Sequence, residues 1–328
     1  MSRVAGLALG YLLDQALGDP RRFHPVAGFG SAAMALERRT YAARRGPGLA
    51  HVVALVGSTA AMGALAERAA RRSGTAHTLV TAAATWAVLG GRSLVREAEV
   101  IDGQLTRGDL TAARTRVRNL VGRETSGLDA DEVARACIES LAENSSDAVV
   151  APLLWGGLLG IPGLLGYRAV NTLDAMVGHR NERYSEFGWA AARLDDLANW
   201  VPARFAGALT LAASGSRARA SAGWAAIQRD APAHPSPNGG VVEAAFAGAL
   251  GVRLGGSNTY DGHVEDRGTL GTGPAAGRAD IAPAARLARR VAMGALLAAL
   301  TLALATSRLP DRKITPYEIE RTLSHFKA

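Results

Sequence analysis

Along the chain, apolar positions gather into long blocks rather than alternating every second residue or every third and fourth. Four stretches carry no charge at all: 46–66, 73–91, 148–167 and 291–307. Each approaches the length a helix needs to cross about 30 Å of hydrocarbon at about 1.5 Å per residue. One such stretch fits a buried helix in a soluble protein, but four argue for an integral membrane protein. The runs 49–66 and 74–91 are separated only by ERAARRSG and read as a helical hairpin. The N-terminal segment MSRVAGLALGYLLDQALGD is interrupted by Asp14 and lacks an A-x-A site, so it reads as an uncleaved first helix.

Residues 92–147 are polar and helical in pattern, and predict a helical extramembrane insert within a single membrane-embedded domain spanning 1–328. Asp129, with Glu132 three residues on, predicts a capping box opening DEVARACIESLAEN. On that helix Glu139, Glu143 and Asp147 fall at i, i+4 and i+8 and form an acidic stripe. The stripe fits a solvated face as well as a bound cation. The following run, APLLWGGLLGIPGLLGYRAVN, holds Pro162 among glycines, which favours a break. A simple span would put Asp147 and Asn171 on opposite sides of the membrane; a re-entrant hairpin turning near Ile161–Gly163 returns them to one side. The re-entrant form is the expectation, because it gathers the Arg-rich regions 18–48, 92–147 and 168–200 on the cytoplasmic face, although it leaves Arg68, Arg71 and Arg72 outside. The Gly/Pro-rich part of 217–290, above all 231–280, predicts loops and turns outside the membrane. Segment 205–216 is short, and crossing, lying in the interface and packing inside all stay open. The fold class expected is all-α: a polytopic membrane protein with a helical cytoplasmic region.

The 328 residues have a mean hydropathy of +0.07 and a net charge of +8, carried almost wholly by arginine since Lys313 and Lys327 are the only lysines. Such a surplus suits anionic headgroups and anionic substrates, with nucleic acid not expected as a partner. A single cysteine, Cys137, excludes an internal disulfide and a thiolate metal cluster. Neither a G-x-x-x-x-G-K-[ST] phosphate loop nor an H-E-x-x-H zinc helix is present. In 168–204, Asn171, Asp174 and Gly178 share one helical face, and Arg193, Asp196 and Trp200 another, with Asp195 and Asn199 adjacent. Arg193 and Asp196 also fit a plain i, i+3 ion pair. Consecutive aspartates point about 100° apart, so Asp195 and Asp196 do not both serve one metal unaided. GDPRRFHPVAGFG and HPSPNGG are short turns able to offer backbone amides to phosphate.

Several blocks in order resemble the adenosylcobinamide-phosphate synthase family of cobalamin biosynthesis (the CobD/CbiB type). They are GDPRRFHPV, LVGRET with IESLAENSSDAVVAPL, YRAVNTLDAMVGHRNERYSEFGWAAARLDDLANWVPAR, and RDAPAHPSPNGGVVEAAFAGALGVRLGG with Tyr260 and Gly262, covering about residues 8 to 275. Glu124, Ala148, Ala175 and His179 depart conservatively from the family pattern. The resemblance implies a multi-pass ligase of the bacterial inner membrane, its active site facing the cytoplasm. It would join aminopropanol phosphate, or a relative, to the propionate of adenosylcobyric acid, using ATP and Mg²⁺. Other late membrane enzymes of the pathway are then implied partners beside the corrinoid, the amino alcohol phosphate and the bilayer. The residues expected to act are Asp147 and Asp174, as metal or general-base groups, with Glu143. Asn144 and Asn171 would orient substrate, and Arg180, Arg193 and Arg204 would contact phosphate. Asp196, His24, His234, Ser236 and Asn238 complete the expected substrate site. A small-molecule transporter and a catalytically silent signalling relative are the alternatives.

Overall fold

The computed structural model describes residues 1–20, 24–179, 181–260 and 263–307. The first helix, α1 (Ser2–Leu17), lies against α4 (Gly74–Val88). The reason is written in GLALG. A Cβ on Gly6 would come within 2.5 Å of Thr81 Cβ, and one on Gly10 within 2.4 Å of Thr85 Cβ, so only hydrogen permits this approach. His24 accepts from Val26 N to cap α2 (Pro25–Thr40), and α3 (Arg45–Ala70) turns at Arg71–Ser73 into α4, giving the hairpin the sequence predicts. Then come α5 (Gly91–Thr106), α6 (Leu110–Val117) and α7 (Ala130–Ser145). The capping box is present: Asp129 accepts from Glu132 N, and Glu132 accepts from Asp129 N, both at 2.8 Å.

Among the described residues, three helical segments are long and apolar enough to cross a membrane: Arg45–Ala70, Gly74–Thr106 and Arg278–Ser307. The last contains α13 (Ile281–Ser307). Leu49, Val53, Met62 and Leu65 leave one side of α3 apolar and exposed, as a lipid-facing helix requires. The remaining uncharged stretch, 148–167, is broken into two helices. After α7 the chain makes a π-helical turn (Ser146–Val150), forms α8 (Ala151–Leu159), reverses at Gly160 and runs back as α9 (Ile161–Val177). Gly160 has φ 73° and ψ −145°, backbone that side chains with a Cβ rarely adopt. The turn is held from outside: Glu67, near the end of α3, accepts from Ile161 N at 3.0 Å and pairs with Arg3 at 3.0 Å and Arg71 at 2.9 Å. The hairpin therefore extends along α3 to its far end, and α9 alone, at 17 residues, is about 25 Å long.

One expectation needs correction. Segment 231–280 is not merely loops and turns. It contains α12 (Gly239–Leu250), nearly every residue of which is buried, and an antiparallel hairpin, β1 (Leu254–Tyr260) with β2 (His263–Leu270), bulged between Gly255 and Ser257. The glycines that suggest loops in sequence instead allow close helix contact: a Cβ on Gly248 would stand 2.3 Å from Gly223 Cα in α11 (Arg217–Asp230). The chain is mostly helical, in keeping with the all-α expectation, and carries this one small β element among its described residues. Of the options open for segment 205–216, the structure shows packing: its first part is the end of α10 (Trp189–Ala213), against α12 and α13. The large core joins α5, α7, α8, α10, α12 and α13, so the polar-looking α7 lies near the centre. Its Glu139 is buried against Arg123 at 2.7 Å and Arg135 at 3.3 Å, and accepts from Gly255 N at 2.8 Å.

Candidate active site

The α8–α9 hairpin returns Asn171 to Asp147: Asn171 Nδ2 donates to Asp147 Oδ2 at 3.4 Å, while its Oδ1 accepts from Arg168 at 3.2 Å. From α10, Asp195 joins the same group. Asn199 Nδ2 donates to Asp195 Oδ2 at 2.9 Å, and Tyr167 Oη donates to Asn199 Oδ1 at 2.8 Å. Two neutral amides thus separate two carboxylates and fix their positions. They face a cavity of about 600 Å³ lined also by Glu143, Ser146, Asp174, Asp196 and Gly178, and closed by the Pro235–Gly239 turn and by Glu265–Arg267 of β2.

Local rules explain why these side chains converge. The π-helical turn inserts an extra residue after α7, which lets Asp147 and Glu143 both reach the cavity while Glu139 turns inward to Arg123. Gly178 ends α9 so tightly that a Cβ there would meet Asp174 Oδ1 at 1.9 Å, leaving Asp174 at the cavity wall. Ser236 Oγ accepts from Gly239 N at 3.0 Å and opens α12. Asn238 donates to Asp196 O at 2.9 Å and accepts from Arg204 at 3.1 Å, tying the turn to α10.

The electrostatics follow from burying like charges together. Burial, and then the neighbouring Asp195 and Glu143 charges, push Asp147 well above the usual carboxylate range, with Arg168 opposing. Asp195 is raised to about 7, first by burial and then by Asp174; the Asn199 hydrogen bond works the other way. Asp174 is raised to about 6 by burial, then by Asp196 and Glu143. Crowding of this kind marks a site that holds a proton or awaits a cation. Behind the turn, buried His234 is lowered to about 4 by burial and then by Arg267, so it is neutral at physiological pH. It accepts from Ser236 N at 3.1 Å and lies 3.2 Å from Arg267 Nε, a positioning role.

Of the residues the sequence singles out, Glu143, Asp147, Asp174, Asp196, Ser236 and Asn238 line this cavity and Asn171 braces it. Five others do not line it. Asn144 is committed to Ser140 by two 3.0 Å contacts. His24 caps α2. Exposed Arg193 makes the plain i, i+3 contact with Asp196 at 3.7 Å. Arg204 braces Asn238 from the opposite side, and His234 stands behind the turn. Arg180 lies outside the described residues. Asp195 and Asn199, which the sequence places only beside the Arg193–Asp196 face, belong to the group itself, and Tyr167, Arg168 and Arg267 join it without a signal in the sequence. The i, i+4 pair Asp195 and Asn199 was visible, but nothing in the sequence says which of two consecutive aspartates faces the hairpin.

No three His, Cys, Asp or Glu side chains converge as a ready metal cage among the described residues. The donor set nonetheless fits a hard cation that keeps water and substrate oxygens as ligands. Crowded carboxylates surround the cavity, and the buried Asp195 Oδ1 and Ser146 Oγ lack hydrogen-bond partners.

The chain has extensive relatives. A protein of Mycobacterium tuberculosis named "Cobalamin biosynthesis protein CobD" is 48% identical over 305 residues, covering 92% of this chain and 96% of the relative. Proteins of the same name from Chromobacterium violaceum and Rhodobacter capsulatus are 46% identical over 310 residues and 43% over 306, covering 93% and 90% of this chain and 97% and 96% of theirs. No solved structure matches. The CobD/Cbib protein model matches residues 7–288, which include every described residue of the cavity, and the chain belongs to that family.

Proposed function

We propose that this protein acts in cobalamin biosynthesis as the ligase that joins aminopropanol phosphate, or a related amino alcohol phosphate, to the propionate of adenosylcobyric acid. The supporting observation is the half-buried Asp147–Asn171–Asp195 group at an acidic cavity, within a chain whose relatives are named for that pathway.

The reaction needs help at two points. A carboxylate and an ammonium form a salt, so the carboxylate must first be activated: a propionate oxygen attacks the γ-phosphorus of ATP and ADP leaves. The amine nitrogen then attacks the acyl carbon, the carbon–oxygen bond to phosphate breaks, and inorganic phosphate departs. The amine must arrive neutral, and the proton it sheds in attack needs an acceptor. Asp195, raised to about 7 mostly by burial, serves as that acceptor, because a carboxylate with such a value both takes and returns a proton near neutrality. Mg²⁺ held by Asp147 and Asp174 would neutralise the transferring phosphoryl group. Asn171 and Asn199 keep the carboxylates from collapsing onto neighbouring cations. Arg267, at the cavity wall, offers positive charge for a phosphate.

Gly178 and His179 at the end of α9 line the cavity, and the start of α3 packs beside that end, with Arg45 paired to Glu186. At the far end Arg3 and Arg71 are compensated by Glu67. This asymmetry supports a multi-pass protein of the bacterial inner membrane with its site facing the cytoplasm. The test is turnover by detergent-purified protein given adenosylcobyric acid, aminopropanol phosphate, ATP and Mg²⁺, with products followed by mass. Amide formation stoichiometric with ADP, abolished by Asp147→Asn in a folded protein, is expected. Corrinoid binding without any ligation would refute the reading and favour transport.

A further inference from the structure

On the other side of the Pro235–Asn238 turn lies a second cavity, of about 620 Å³, in the range of small-molecule sites. Its wall is apolar: Leu211 of α10, Trp224 and Ile227 of α11, and Val241 of α12, with Pro235 and Pro237 at its edge. Those two prolines also line the acidic cavity, so the two compartments share one rim. Trp224 is 58% exposed on α11, a helix that buries only Gly223 and Ala226, so its indole is accessible at the cavity wall.

One charged group interrupts the apolar wall, and it stands at that rim. Arg204 donates to Trp200 O at 2.9 Å, Asn238 Oδ1 at 3.1 Å and Pro237 O at 3.4 Å, and its guanidinium lies 4.3 Å from the Trp200 ring. All these partners are neutral. Among the described residues no carboxylate forms an ion pair with it, so the rim offers an uncompensated positive charge beside an otherwise acidic site. A ligand that fits both features presents a broad apolar ring face and a carboxylate on a short arm.

We propose that the apolar cavity seats the corrin macrocycle, stacked on Trp224, and that the propionate passes over the shared rim under Arg204 into the acidic cavity. This inference rests on the ligase reading and adds to it a location for the ring. Stacking and enclosure hold the macrocycle outside the carboxylate cluster, where its bulk would otherwise displace the nucleotide and the amine. Arg204 draws the carboxylate arm inward until activation removes its charge.

The test separates the ring from its arm. Binding is measured by equilibrium dialysis with two probes: adenosylcobyric acid, which carries the free propionate, and cobinamide, in which that propionate is already an amide. Trp224→Ala should weaken both by about tenfold, the loss of one aromatic stack. Ala208→Trp, which fills the cavity from α10, should do the same. Arg204→Gln should weaken adenosylcobyric acid and leave cobinamide unchanged, an outcome that general misfolding cannot produce. Asp195→Asn should abolish ligation and leave both affinities intact. Unchanged affinity in Trp224→Ala and Ala208→Trp, with ligation intact in the parent, would place the ring elsewhere and overturn this inference alone. Unchanged affinity with Trp224 emission quenched by brominated lipid would assign the cavity to the bilayer. If the parent binds neither corrinoid, the ligase reading itself fails.

Discussion

Replacing Asp195 with Asn should make the protein more stable and inactive, and the gain should depend on pH in a defined direction. In the folded chain the Asp195 carboxyl is raised from its ordinary 3.8 to about 7, mostly by burial and then by Asp174. The folded state therefore keeps a proton that the unfolded chain releases. Below about pH 4 both states hold it and no cost arises. As pH rises to about 7, the folded state bears a growing penalty, and at about 1.4 kcal/mol per pH unit this reaches about 4 kcal/mol. The amide has the same shape and no charge, and Asn199 Nδ2 can still donate to its oxygen, so Asp195→Asn removes the penalty without removing the contact. The expected stabilisation is about 4 kcal/mol at pH 7 and above, below about 2 kcal/mol at pH 5, and near zero at pH 4. Because Asp147 shares the repulsion, these are upper values. The assay is thermal unfolding of detergent-purified parent and variant across pH 4–8 in magnesium-free buffer, beside ligation turnover. A gain independent of pH, or a variant less stable than the parent at pH 8, would refute the argument that charge crowding, rather than shape, sets this site.

Other predictions concern the frame around the site. Gly160→Ala puts a Cβ 2.4 Å from Glu67 Oε2 on strained backbone, so a loss of about 1–3 kcal/mol is expected, read by thermal unfolding; a neutral result would mean that the hairpin tip is not fixed as described. Glu139→Gln leaves Arg123 buried without its countercharge and should cost about 3–5 kcal/mol, checked by denaturation of the purified protein. His234, lowered to about 4, stabilises the fold in its neutral form; that contribution is complete above about pH 6.5 and lost as pH falls through about 4, so His234→Gln should flatten the acid limb of the stability profile between those values.

The chain's own pattern determined much of the molecule. Helix lengths, the α3–α4 hairpin, the capping box at Asp129 and Glu132, and the break within 148–167 all follow from local rules, since hydropathy, caps and Gly–Pro pairs act within a few residues. Glu143, Asp147 and Asp174 are legible as a group because the hairpin that reunites them is itself legible. Tertiary structure decided the rest. Whether Asp195 or Asp196 faces the cluster depends on how α10 rotates against α9, which no local signal sets. The depth of the hairpin depends on Glu67, 94 residues from the Ile161 amide it receives. The same holds for the glycines of α11 and α12: in sequence they signal loops, yet placed opposite one another they allow two helices to meet at van der Waals distance. Glycine marks both flexibility and close packing, and only the partner across the contact tells which.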